Sequence, residues 1–161
     1  LRFLLTIVLS FVALCFQHPI HELSHVAAAR MFSEKVIRIQ WLNYQGGTRV
    51  FYKNEPDLSF QNVDKKWIFI AGAGFFTTTI LGYFFAVLYF VVSIGLLKAI
   101  LCLFSIIFLL TDCLYFLIGS IGNFGDITGI RKIMKMSKTL STIVCAAVFI
   151  LHVIVINLCF Y

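Results

Sequence analysis

Charge is the scarcest commodity in this chain. Only 12% of its 161 residues are Asp, Glu, Lys or Arg, too few to coat an ordinary soluble domain. Carboxylates are rarer than bases, seven against thirteen, which leaves a net charge of +6. No basic patch interleaves with exposed aromatics, so this excess does not read as nucleic-acid binding; beside apolar runs it records topology and contact with anionic lipid. The five cysteines (Cys15, Cys102, Cys113, Cys145 and Cys159) include no CxxC pair and read as small packing residues. Internal repeats and low-complexity tracts are absent as well.

What the chain has instead is apolar length. It is 61% hydrophobic with a mean hydropathy of +0.98, and runs of about 20 apolar residues suffice to cross a bilayer. The expected fold is an all-α membrane protein forming a single domain of four transmembrane helices, at about residues 3–29, 67–94, 99–121 and 140–160. Leu1–Phe16, with Arg2 ahead of an apolar run, resembles a signal peptide, but no small-residue cleavage site follows, so a retained span is expected. Gly95 and Lys98 suggest a tight turn between the second and third spans.

The 30–66 loop differs in character. "KVIRIQWLNYQGGTRVFYK" alternates apolar and polar residues on both sides of Gln45-Gly46-Gly47, the pattern of a β-hairpin. The loop from Arg30 to Lys66 carries seven basic residues and the segment Arg131–Lys138 four, against only Arg2 and Lys98 on the other side. The positive-inside rule then predicts a cytoplasmic hairpin, with "IRKIMKMSK" forming a short surface helix on the same side.

Against this background one stretch stands out. "QHPIHELSHVAAAR" gathers three of the four histidines and one of the three glutamates into eight residues of the first span. Within it, His21, Glu22 and His25 form HExxH. Positions i and i+4 share a helix face, so both imidazoles can reach one metal ion, and Glu22 is placed to take a proton from its water. Zinc suits such ligands; a catalytic site uses three protein ligands plus water and lowers that water's pKa to roughly 7. A glutamate at membrane depth costs on the order of 3 kcal/mol to insert, which argues for a partner or a function.

The third ligand is open on sequence grounds. The HExxHxxGxxH pattern fails, because Ala28 and Met31 stand where its glycine and histidine belong. Glu34 and Glu55 lie in loops. Asp126, in "GSIGNFGDITG" at the glycine-interrupted end of the third span, can meet His25 at one depth. Asp112, about four turns earlier, is the alternative; it is expected to lie too deep, with a polar contact to Thr77–Thr79 instead. His18 reads as an entry-point residue and His152 as a hydrogen-bonded packing histidine.

With HExxH in one span and an aspartate at the end of a later one, the chain resembles the site-2 protease family of intramembrane zinc metalloproteases. The similarity covers roughly His21–Gly129 and fits a divergent, minimal member without a PDZ domain. "AGAGFFTTT" resembles the small-residue element of that family's middle core span, and the hairpin resembles its β-structure between the first two core spans. Where the family has Gly-Pro and then Asn, this chain has Gly74-Phe75 and Thr78; the family's Asn-Pro is reduced to Asn123-Phe124. The resemblance implies one zinc ion on His21, His25 and Asp126, Glu22 as catalytic base, and Asn123 as an oxyanion or substrate contact. It further implies cleavage of a transmembrane protein substrate near the cytosolic side of the bilayer, with room for a regulatory partner. The short single-domain form suggests a prokaryotic cell membrane. Two alternatives stand beside it: a non-proteolytic metal-binding membrane protein (transporter or inactive homologue), and a metal-free four-span scaffold.

Overall fold

A computed structural model describes residues 2–41, 49–55 and 63–160. Its elements in chain order are α1 (Arg2–Met31), β1 (Val36–Gln40), β2 (Arg49–Tyr52), α2 (Lys66–Val91), α3 (Gly95–Gly122), α4 (Gly125–Ile133) and α5 (Lys138–Phe160). Four of the helices, α1, α2, α3 and α5, are long and apolar enough to cross a membrane. At 1.5 Å per residue the shortest, α5, spans about 35 Å, more than the hydrocarbon layer requires. The chain is a multi-pass membrane protein with a small antiparallel β1–β2 pair between its first two helices.

The helices pack inside out relative to a soluble protein. Large apolar side chains such as Phe11, Phe16, Phe76, Ile80 and Val87 point outward, while Gln17, His21, Glu22, His25, Thr78, Ser105 and Asp112 are buried. Two stripes explain how. On α1 every fourth residue from Ala13 is buried: Ala13, Gln17, His21, His25 and Ala29. On α2 the corresponding stripe is Ile70, Gly74, Thr78, Gly82 and Ala86. Small residues four apart let backbones approach closely where lipid offers no hydrophobic drive for association. Thus α1, α2 and α3 contact one another, and α5 packs against α3. Across α2 and α3, the Ser105 hydroxyl donates to the Gly82 carbonyl at 2.9 Å.

The hairpin and α4 share one end of this bundle. There Ala29, Trp67 and Ile70 form a small core, against which Val36, Tyr52 and Ile133 pack. Glu34, buried at the hairpin's root, is paired with Lys66 Nζ at 2.7 Å. The Gln45–Gly47 turn lies outside the described residues.

Several expectations need correction. The α2–α3 connection is Val92–Ile94, not Gly95 to Lys98; extended backbone at Val92 and Ile94 reverses the chain, and Gly95 already opens α3. Lys98 is helical and stands 5.2 Å from the centre of the Tyr89 ring. The short helix begins earlier than "IRKIMKMSK" suggested, at Gly125, and stops at Ile133, where a left-handed Lys135 (φ 55°) follows. Asp126 therefore belongs to the first turn of α4 rather than to the end of the third span.

Candidate metal centre

Three side chains converge where α1, α2 and α4 meet. His21, His25 and Asp126 each offer one ligand atom, and these atoms lie within 4.8 Å of one another. The two imidazoles come from one face of α1, one turn apart, with ring centres 4.8 Å apart. Asp126 arrives from the opposite side by a sharp reversal. Asn123 ends α3 in the left-handed region (φ 63°), the Phe124 N–H returns to the Gly119 carbonyl at 3.1 Å, and Gly125 takes φ 70°. A side chain at position 125 would be strained there, so the glycine is what lets α4 start directly under Tyr115.

The hydrogen bonds behind the histidines fix which nitrogen each presents. His25 Nδ1 donates to the Ile70 carbonyl at 2.6 Å, leaving Nε2 as the lone-pair atom, 3.4 Å from Asp126 Oδ2. His21 Nδ1 donates to Asp112 Oδ2 at 2.8 Å, and its Nε2 lies 3.3 Å from the same Asp126 oxygen.

Two of the three separations match a tetrahedral zinc ion, while the imidazole nitrogens, within 4.8 Å of one another, would have to close up on it. Ligand bonds of about 2.0–2.1 Å at a tetrahedral angle place neighbouring ligand atoms about 3.3–3.4 Å apart, the two separations measured from Asp126. The donor set, two imidazoles of defined tautomer and one carboxylate, leaves a fourth position for water. A cavity of ≈ 460 Å³ adjoins the site, within the range of small-ligand pockets; its wall includes Glu22, His25, Asp126, Val50, Tyr52 and Tyr115. Burial, then the charges of Asp126 and Glu22, push the Tyr52 phenol above its usual pKa, so it stays a neutral donor on that wall.

The other candidates fall elsewhere. Asp112 is not too deep: it touches His21 directly, but on the nitrogen facing away from Asp126, outside the group of His21, His25 and Asp126. His21 and Asp112 both lie ten residues before the ends of their helices, Met31 and Gly122, or about 15 Å by helical rise, whereas His25 lies a turn nearer the end. Asn123 is not a cavity residue. Its backbone caps α3, and its side-chain oxygen accepts from the Arg131 guanidinium. Glu34 is tied to Lys66, and Glu55, at the cavity rim, pairs with Arg49 at 2.7 Å. His18 is exposed, and His152 is buried against α3, donating from Nδ1 to the Val148 carbonyl at 2.8 Å.

Some contributors escaped the sequence reading. Gln17, four residues before His21 and on its face, donates to Asp112 Oδ1 at 2.6 Å; its position in the histidine stripe was the available signal. Gly74 was seen only as part of a small-residue element, yet a Cβ there would lie 2.5 Å from the His21 ring. Tyr52 and Tyr115 carried no signal, since a hairpin and a helix bring them together only in three dimensions. No protein-family model, curated protein or solved structure matches this chain.

The packing of Gly74 against His21 yields a test that removes no ligand atom. Gly74→Ala forces the ring to move. Zinc affinity, measured by chelator competition on folded protein, is expected to fall on the order of 10-fold, the scale of a disturbed ligand orientation. Gly72→Ala, whose Cβ would first meet the movable Phe76 side chain at 3.0 Å, should leave affinity unchanged. Equal affinity in the Gly74 variant would contradict the geometry.

Proposed function

We propose that this chain is an intramembrane zinc metalloprotease of the site-2 protease type, hydrolysing a peptide bond of a transmembrane substrate near the cytosolic side. The observation that supports this most is the convergence of His21 Nε2 and His25 Nε2 on one Asp126 oxygen, at 3.3 and 3.4 Å, beside a glutamate on a cavity wall. A metal store or scaffold has no use for that glutamate.

Zinc, when bound, supplies a Lewis acid that makes water acidic enough to lose a proton near neutral pH and polarises a carbonyl. Glu22 follows His21 directly and reaches the cavity beside His25 and Asp126. It accepts the proton of the attacking water as the water oxygen bonds to the scissile carbonyl carbon. It then gives that proton to the amine nitrogen as the carbon–nitrogen bond breaks. Its burial, at 8% exposure, keeps competing solvent away from this transfer. The eleven basic residues of the hairpin loop and the 131–138 segment favour a cytoplasmic position for the cavity.

A helical substrate hides its carbonyls, so it must unwind before attack. Val50 and Tyr52 of β2 line the cavity, and β2 pairs only with β1 among the described residues. An extended substrate segment adding to the free edge of β2 would run past Glu22 with its backbone held by strand hydrogen bonds.

Glu22→Gln keeps shape and removes the base. Cleavage of a reconstituted membrane substrate should fall at least about 100-fold with one zinc per chain retained. Undiminished cleavage, or an unrelated activity surviving intact, would favour a non-proteolytic metal protein. The strand-pairing idea has its own check: proline placed in turn at positions 49–52 should slow cleavage of an intact transmembrane substrate for at least one position that leaves zinc content normal. Uniformly unchanged rates would rule the pairing out.

A further inference from the structure

We infer that Asp112 is a positioning residue of the metal centre: a carboxylate that presets the tautomer and ring angle of His21 and balances charge behind it within the membrane. This rests on the metal-centre reading above.

Asp112 sits in the interior of α3 and is 5% exposed. Its two oxygens meet three partners from two other helices. Oδ1 accepts from Gln17 Nε2 at 2.6 Å; Oδ2 accepts from His21 Nδ1 at 2.8 Å and from the Thr78 hydroxyl. Every partner offers a proton, which is the surrounding a carboxylate takes and a neutral packing residue does not need. Metal-ligating histidines characteristically give their second N–H to such an acceptor, which fixes the tautomer and strengthens the ligand.

The two histidines reach the same tautomer by different means. His25 uses the carbonyl of Ile70, near the start of α2. His21 lies a turn deeper, opposite the interior of α3, and takes a side-chain acceptor there. Asp112 supplies it, and Thr78 and Gln17 hold the carboxylate in the plane of use. Gly74, one turn before Thr78, closes on the face of the same ring. The imidazole is thus gripped at its Nδ1 edge and at its side, with Nε2 left facing Asp126.

Charge gives the second reason. A divalent ion on two neutral histidines and Asp126 keeps one net positive charge. Asp112, directly behind His21, cancels it before Glu22 and its water are counted, which matters where water is scarce.

The test uses the full chain in bilayer nanodiscs: wild type, Asp112→Asn and Thr78→Val. Each is measured for zinc affinity by chelator competition, for the visible spectrum of its cobalt-loaded form, and for unfolding of the metal-free protein. Asp112→Asn is expected to keep a tetrahedral cobalt spectrum and one zinc per chain, with affinity 10- to 100-fold weaker. Thr78→Val, which loosens Asp112 while leaving it in place, should weaken zinc binding in the same direction by a smaller factor; it carries the test alone if the Asn variant does not fold. Lower stability with zinc affinity unchanged in the folded variants would make Asp112 a helix tie and overturn the inference while sparing the metal centre. Wild type that binds no zinc would overturn both.

Discussion

The hydrogen bonds that surround Asp112 tie three transmembrane helices into one register, and the site is built from that register outward. A carboxylate in a bilayer is tolerable only when donors surround it. Gln17 and His21 from α1 and Thr78 from α2 provide them. Removing the carboxylate would strand the buried donors of Gln17 and His21, each costing about 1–3 kcal/mol, while the Thr78 hydroxyl can turn to the Gly74 carbonyl. That sum is a sizeable share of the stability of a typical domain. The fourfold-spaced small residues of α2 follow from the same need: only glycine at 74 and 82 lets α1 and α3 come close enough for these bonds to form.

The register also decides where reactive groups point. Once His21 Nδ1 is committed to Asp112 and His25 Nδ1 to the Ile70 carbonyl, both Nε2 atoms face the space that α4 enters. Asp126 sits in the first turn of α4, where a helix end favours negative charge, and the reversal at Asn123–Gly125 delivers it. The hairpin adds the cavity's outer wall through Val50 and Tyr52. Deep residues thus set ligand geometry, and residues at the hairpin end set access.

Much of this was legible in the residues themselves. The spans follow from apolar length, the hairpin from alternation, and the pairing of His21 with His25 from helical spacing. Asp126 was accessible because glycines broke the third span just before it. The misreadings share a cause, since each depended on which way a helix or turn faces. Measured against His25, Asp112 lies too deep, but its partner is His21, a turn deeper. The Gly95–Lys98 turn was misplaced because hydropathy fades gradually at a helix end and does not mark where the backbone reverses. Gln17 was visible all along, one turn from His21, but its role required knowing what stood opposite.

The most direct measurement of the central claim is zinc per polypeptide in purified wild type and Asp126→Ala, both verified as folded. The account predicts about one zinc per chain in the wild type, from a three-ligand site, and a marked loss in the variant. Equal zinc in the two proteins would contradict it by removing Asp126 from the centre, and a wild type that neither contains zinc nor takes it up would contradict the metalloprotease reading as a whole.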